Sequence, residues 1–301
     1  MNANATISLP QRIGHYLSLI KFSHTVFALP FALIGFTLGW RDASGIWHWD
    51  MFIKMLLCMI FARSAAMAFN RWLDRRFDAL NPRTAVREIP AGVIKPGNAL
   101  AFTIFCSAAF VITTLLMNRT VFYLSFIALF VILFYSYTKR ITALCHLVLG
   151  VGLALAPIGA YLTLSEHFNW LPVLFSCTVF TWVAGFDIIY ALQDRDFDKS
   201  QKLHSIPAAL GLKGALNVSN ILHLLSGTLV ITAGIYGHFN WVYWLGTAVF
   251  ISMLVYQHML VKPNDLSKVN MAFATTNGIA SICFATLTIL SIILSYTGIL
   301  S

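Results

Sequence analysis

Charge is scarce in this sequence. Only 31 of 301 residues are Lys, Arg, Asp or Glu (20 basic plus 11 acidic). That is 10%, where soluble domains carry roughly 25%. Hydrophobic residues reach 58%, above the ~45–50% usual in such domains. So little polar cover cannot solvate so much apolar surface. An ordinary soluble enzyme and a disordered chain are both excluded, and the bilayer is the expected solvent. Cysteine is sparse too. Cys58, Cys106, Cys145, Cys177 and Cys283 all sit in apolar runs with no CxxC spacing, which excludes a disulfide framework or a zinc site and leaves small core residues. The polar segment 1–14 lacks the basic start and apolar core of a secretory signal, so insertion is expected to rest on the spans themselves.

The net charge is +9. Its basic residues gather in a few polar connections, which points to membrane topology and to a phosphate-bearing ligand rather than to nucleic acid. A span needs about 20 apolar residues to cross the hydrocarbon. Stretches 22–40, 96–118, 120–138, 141–165, 167–186 and 269–301 carry no Asp, Glu, Lys or Arg. Stretch 214–261 is long enough for two spans, divided by the turn Gly237-His238-Phe239-Asn240. Another span, about 51–70, contains Lys54 and Arg63. The expected fold is therefore all-α and integral to the membrane, a single domain over 1–301 with nine transmembrane helices.

Nine spans place the termini on opposite sides. The N-terminus and the connections 71–95, 139–140, 194–213 and 262–268 then share one side. Sixteen Lys and Arg fall there, against Arg41, Lys54 and Arg119 on the other. The positive-inside rule makes the richer side cytoplasmic, at a bacterial inner membrane. Trp40, Trp47, Trp49, Trp170, Trp241 and Trp244 fall near the opposite face, where an aromatic belt belongs. Two connections are long and acidic, after the second and sixth spans, which suggests two weakly related halves.

Six of the eleven acidic residues lie in these two places. Motif one runs Asn70-Arg71-Trp72-Leu73-Asp74-Arg75-Arg76-Phe77-Asp78, and motif two runs from Asp187 through Tyr190 and Asp194 to Asp198. Residues i and i+4 share a helix face. On a helix, Asp74 converges with Asp78 and Asp194 with Asp198; Asn70 and Tyr190 stand one turn before, and Asp187 two turns before Asp194. Aligned carboxylates repel, more so near lipid. A divalent cation removes that repulsion. Mg²⁺ takes oxygen ligands, commonly one or two carboxylates plus substrate phosphates, and the flanking Arg and Lys supply forks for a diphosphate. Arg63 precedes Asn70 by seven residues and Asp74 by eleven, so it shares their face and must point into a polar cavity. His24 and His146, in or near spans, read as packing or hydrogen-bonding groups. The 24 phenylalanines suit an isoprenoid-lined cavity, although Phe is common in any membrane helix.

Asn-x-x-x-Asp-x-x-x-Asp after the second span and Asp-x-x-Tyr-x-x-x-Asp-x-x-x-Asp after the sixth resemble the two signatures of the UbiA superfamily of membrane prenyltransferases. Tyr137-Thr138-Lys139-Arg140 resembles its basic segment between spans four and five. Arg83-Thr84, Arg87 and Pro90-Ala91-Gly92 resemble the stretch after its first motif. The resemblance covers about 15–295. It departs at Asn70-Arg71, where many members have Asn-Asp. It implies nine helices around a central cavity, and Mg²⁺-dependent transfer of an isoprenoid from its diphosphate to an aromatic acid. Asp74, Asp78, Asp194 and Asp198 are the implied metal ligands. Arg63, Asn70, Lys139, Arg140 and Tyr190 are the implied substrate contacts. Three roles are open to Asp187: metal ligand, ion-pair partner, or group acting on the acceptor. His24 to Ala32 and His204-Ser205-Ile206-Pro207 resemble a subgroup acting on 4-hydroxybenzoate for ubiquinone, or in menaquinone synthesis on a naphthoate. The competing classes are a transferase for a tetrapyrrole acceptor and an ion-coupled transporter. Acidic clusters at one membrane face, rather than the midplane, weigh against the transporter.

Overall fold

The computed structural model describes residues 9–20, 27–43 and 45–300. His24, the segment 1–8 and part of the first expected span lie outside the described residues. All named elements are helical. They are α1 (Leu9–Leu19), α2 (Leu29–Ala43), α3 (Trp49–Leu80), α4 (Pro96–Leu115), α5 (Arg119–Thr138), α6 (Cys145–Ser165), α7 (Trp170–Ala191), α8 (Arg195–Ser200), α9 (Ile206–Tyr236), α10 (Trp241–Leu260), α11 (Val269–Met271) and α12 (Asn277–Tyr296).

Seven described helical segments are long and apolar enough to cross a membrane. Of the nine expected spans, the two that fall outside this set are α2 and α10. Helix α2 has 15 residues. The 20-residue α10 carries Trp241, Tyr243, Trp244, Gln257 and His258, which dilute its apolar character. Segment α3 is longer than the expected 51–70. Its 32 residues span about 48 Å at 1.5 Å per residue, well beyond the ~30 Å of hydrocarbon. Motif one is therefore the last two turns of a helix that leaves the membrane, not a loop.

Close backbone contacts hold the bundle where glycine faces a carbonyl. A Cβ on Gly35 of α2 would stand 2.0 Å from the Pro157 carbonyl oxygen of α6, and one on Gly150 of α6 2.6 Å from that of Phe180 in α7. Small residues allow this approach between membrane helices. The central core is aromatic: Phe31, Phe175, Trp182, Tyr243, Phe250 and Phe284 are fully buried. At one end of the bundle, Trp40 packs on Tyr296 with centroids 4.7 Å apart, and Trp47 on Trp49 at 5.6 Å. Trp49, Trp170 and Trp241 are exposed there, in keeping with the expected belt. Both acidic motifs lie at the other end.

Candidate active site

Motif one sits on the final turns of α3. Asn70 Nδ2 donates to Asp74 Oδ2 at 3.1 Å. Arg140, just past α5, donates to Asp74 Oδ1 at 2.7 Å and to the Leu73 carbonyl at 3.2 Å. Asp78 is buried. It accepts from Arg87 Nη1 at 2.6 Å, with Arg71 4.0 Å away. The two carboxylates thus share a helix face as the spacing predicts, yet each faces its own guanidinium.

Motif two departs from one continuous helix. After α7 ends, Leu192–Asp194 form a 3₁₀ turn, and α8 begins at Arg195. The tighter turn changes the rotation per residue, and Asp198 no longer shares the cavity wall with Asp187 and Asp194. Asp194 accepts from Arg83 Nε at 3.0 Å, from a second Arg83 nitrogen, and from Asn81 Nδ2 at 3.1 Å. Arg83 also donates to the Tyr190 hydroxyl at 2.9 Å and stacks over its ring. The segment after motif one therefore clamps motif two. Asp198 turns inward, fully buried, with Lys139 Nζ at 2.7 Å and the Ser205 hydroxyl at 2.8 Å. Ser205 in turn caps α9 by accepting from the Ala208 N–H. The spacing sets Asp198 beside Asp194. The structure instead places it beneath Lys139, outside the lining of the cavity described next. Asp187 faces His146, Nδ1 to Oδ2 at 2.7 Å.

A cavity of about 520 Å³ lies between these elements. Arg63, Arg71, Arg83, Arg87, Lys139 and Arg140 line it, against Asp74, Asp78, Asp187 and Asp194. Six cations less four carboxylates leave a wall of net charge +2, histidine not counted. A second, apolar cavity of about 310 Å³ runs among α3, α4, α5 and α6. The two share Arg63, Met67, Tyr135, Leu149 and Leu153. Arg63 therefore stands at the seam between a polar and an apolar chamber.

Burial opposes the charge on Arg83 and on Lys139. For Arg83 the hydrogen bond and charge of Asp194, with Tyr190, outweigh it and raise the pKa above the ordinary value. For Lys139 the charge and hydrogen bond of Asp198, with Asp194 and Asp74, do the same. Both stay protonated through neutral pH.

All ten residues singled out from the sequence belong to this end of the bundle, and all except Asp198 line the polar cavity. Others carry no comparable sequence signal. Asn81 joins the clamp from a turn. Phe273 packs on Tyr190 with centroids 4.3 Å apart, from a π-helical turn at Ala272–Thr276. That turn is held by Gln257 donating to the Ala272 carbonyl at 2.7 Å and by Asn277 donating to that of Phe273 at 2.8 Å. Asn277 also accepts from Trp182 Nε1 at 2.9 Å. Amides inside apolar helices were the one available hint.

The UbiA prenyltransferase family matches residues 28–297. The 4-hydroxybenzoate octaprenyltransferase of Aliivibrio salmonicida is 30% identical over 246 residues, 80% of this chain and 85% of its own. That of Coxiella burnetii is 28% identical over 296 residues, 96% and 99%. Among solved structures, a UbiA homolog from Aeropyrum pernix K1 superposes with a TM-score of 0.77 at 30% identity, covering 90% of this chain and 98% of that one. A UbiA homolog from Archaeoglobus fulgidus bound to GPP and Mg²⁺ gives 0.73 at 19% identity, covering 92% and 99%. The chain belongs to the UbiA prenyltransferase family and is a multi-pass membrane prenyltransferase.

Proposed function

We propose that this prenyltransferase moves a polyprenyl chain from its diphosphate to the ring of an aromatic acid, with 4-hydroxybenzoate, the substrate in its relatives' names, as the acceptor and ubiquinone synthesis as the purpose. The observation that carries this reading is the seam at Arg63 and Tyr135. A polar, net cationic chamber suits a diphosphate, and the adjoining apolar chamber suits an isoprenoid. The acidic end faces the cytoplasm of a bacterial inner membrane, because most of the Lys and Arg lie at that end.

The donor set fits Mg²⁺. Among the described residues no three His, Cys, Asp or Glu groups stand together as a protein-only metal site. Mg²⁺ does not need one, since one or two carboxylates plus substrate phosphates suffice. Asp74, Asp78 and Asp194 line the chamber, and Asp78 Oδ2 is buried without a hydrogen-bond partner. These are the residues that would hold it. Bound there, Mg²⁺ would neutralise charge developing on the leaving diphosphate. Arg83, Arg87, Lys139 and Arg140 bind phosphate oxygens, Asn70 and Tyr190 orient them, and Arg63 holds the allylic end at the seam. Asp198 acts through Lys139, fixing its ammonium.

Purified protein with a polyprenyl diphosphate, Mg²⁺ and labelled 4-hydroxybenzoate is expected to form prenylated product, and EDTA to abolish it. Product from a dihydroxynaphthoate alone would move the protein to menaquinone synthesis. Failure with every aromatic acid would overturn the reading.

The apolar chamber makes a second prediction. Gly152 lines it, and a Cβ there meets only Ile132, at an ordinary 3.6 Å. Gly152→Phe would project its ring into the chamber rather than into the bundle. Folding is expected to persist while KM for long donors rises more than KM for a C10 donor. An unchanged chain-length preference would show that the tail lies elsewhere.

A further inference from the structure

We infer that Asn277 is a positioning residue for the donor diphosphate, acting through the π turn at Ala272–Thr276 and through Phe273 to fix Tyr190; this rests on the reading above in which Tyr190 orients that diphosphate. Helices α10 and α12 contain no Asp, Glu, Lys or Arg. The link between them nevertheless gives Asn270 and Phe273 to the wall of the polar chamber. There Phe273 enters an aromatic nest. Its ring centroid lies 5.5 Å from that of Phe186 and 4.3 Å from that of Tyr190, one turn apart on α7, and 5.3 Å from that of Phe27. Tyr190 stands two residues before Leu192, where α7 gives way to the 3₁₀ turn. Little regular helix follows to fix its side chain. Arg83 and Phe273 both lie against its ring, and Arg83 bonds its hydroxyl at 2.9 Å.

The backbone that carries Phe273 is the unusual part. A π turn bonds residue i to i+5, is rare, and recurs at functional sites. Here buried side chains hold it. The Ala272 carbonyl accepts from Gln257 Nε2 at 2.7 Å and from the Thr276 hydroxyl. The Phe273 carbonyl accepts from Asn277 Nδ2 at 2.8 Å, while Asn277 Oδ1 accepts from Trp182 Nε1 at 2.9 Å. An indole N–H only donates and a carbonyl only accepts, so one orientation of the amide serves both. Trp182, Gln257 and Asn277 are each at most 1% exposed. A polar group so placed costs stability unless it is bonded, whereas an apolar residue would carry no such demand. The bonds of Asn277 run from α7, two turns before Tyr190, to the carbonyl of the residue that braces Tyr190. One amide thus ties the helix that carries the ring to the turn that supports it.

The test is a double-mutant cycle on the KM for a polyprenyl diphosphate. Tyr190→Phe removes the hydroxyl, and Asn277→Leu removes the amide at similar size. Each alone is expected to raise the donor KM about tenfold, with the acceptor KM unchanged. Together they are expected to raise it no further than Tyr190→Phe alone, since the hydroxyl that Asn277 places is already gone. Gln257→Met takes one bond from the same turn. It is expected to give a smaller rise that also vanishes in the Tyr190→Phe background, and it carries the cycle if Asn277→Leu does not accumulate. A merely structural role would lower the yield and the thermal midpoint but leave the donor KM of the folded protein unchanged. That result, effects that multiply in the double variant, or a rise in the acceptor KM alone overturns the proposal. Tyr190→Phe with the wild-type donor KM, or no prenyl transfer by the wild type, would instead overturn the reading beneath it.

Discussion

Asp194→Asn is expected to lower kcat by roughly 10²–10³ while the helical fold persists. Asp194 takes two nitrogens from Arg83 and one from Asn81, so it joins the segment after motif one to the end of α7. The amide is the same size but carries no charge. It can accept from one of these donors, yet its own N–H₂ meets the Arg83 guanidinium. Two functions go at once. The chamber loses an anion proposed to hold the metal, and Arg83 loses the partner that fixes its guanidinium. Steady-state rates on purified protein, with the thermal midpoint as a check on folding, measure this. Asp196→Asn is the matched control. Two residues away in sequence, its side chain is 91% exposed, and its variant is expected to match wild type, as exposed ion pairs contribute little. Equal losses in both would mean that the general negative charge of the segment matters and not the position of Asp194.

The largest effect on folding is expected at Gly35→Ala. The added Cβ would sit 2.0 Å from the Pro157 carbonyl oxygen and 2.8 Å from its carbonyl carbon. Both are backbone atoms, so no side-chain rotation relieves the clash. Helix α2 must move away from α6, which opens gaps around Phe31, Ile34 and Leu38 in the central cluster. Overpacking of this kind costs about 3 kcal/mol. The measurement is the thermal midpoint in detergent, together with the amount of protein in the membrane. Gly152→Ala is the control, because its Cβ meets only Ile132 at 3.6 Å. A Gly35→Ala protein with the wild-type midpoint would show that α2 and α6 are not locked as this packing implies.

Much of the site was legible in the sequence because its residues carry charge where charge is expensive. A carboxylate at the end of an apolar helix needs a partner or a ligand, so Asp74, Asp78, Asp187 and Asp194 stand out against the surrounding Leu, Phe and Ile. Arg63 stands out for the same reason. His146 did not, since a single histidine near a helix start is compatible with simple packing. Only its contact with Asp187 and its place on the chamber wall mark it. Asp198 shows the opposite case. Its spacing from Asp194 fits a shared face on a uniform helix, and one 3₁₀ turn directs it to Lys139 and Ser205 instead.

Composition and the lengths of the apolar runs alone determined an all-helical protein in a membrane, the asymmetry of its basic residues, and the two acidic motifs at one end. These follow from the cost of placing charge and unpaired backbone in hydrocarbon, which each short segment must meet by itself. Which carboxylate faces which cation was decided only by tertiary structure, as were the seam between the two chambers at Arg63 and the pairing of His146 with Asp187. Apart from Asp78 with Arg87, nine positions on, those contacts join residues 41 to 111 positions apart. Their geometry depends on how α3, α5, α6 and α7 pack and on a local change of helical pitch, and neither is encoded in the spacing of any one motif.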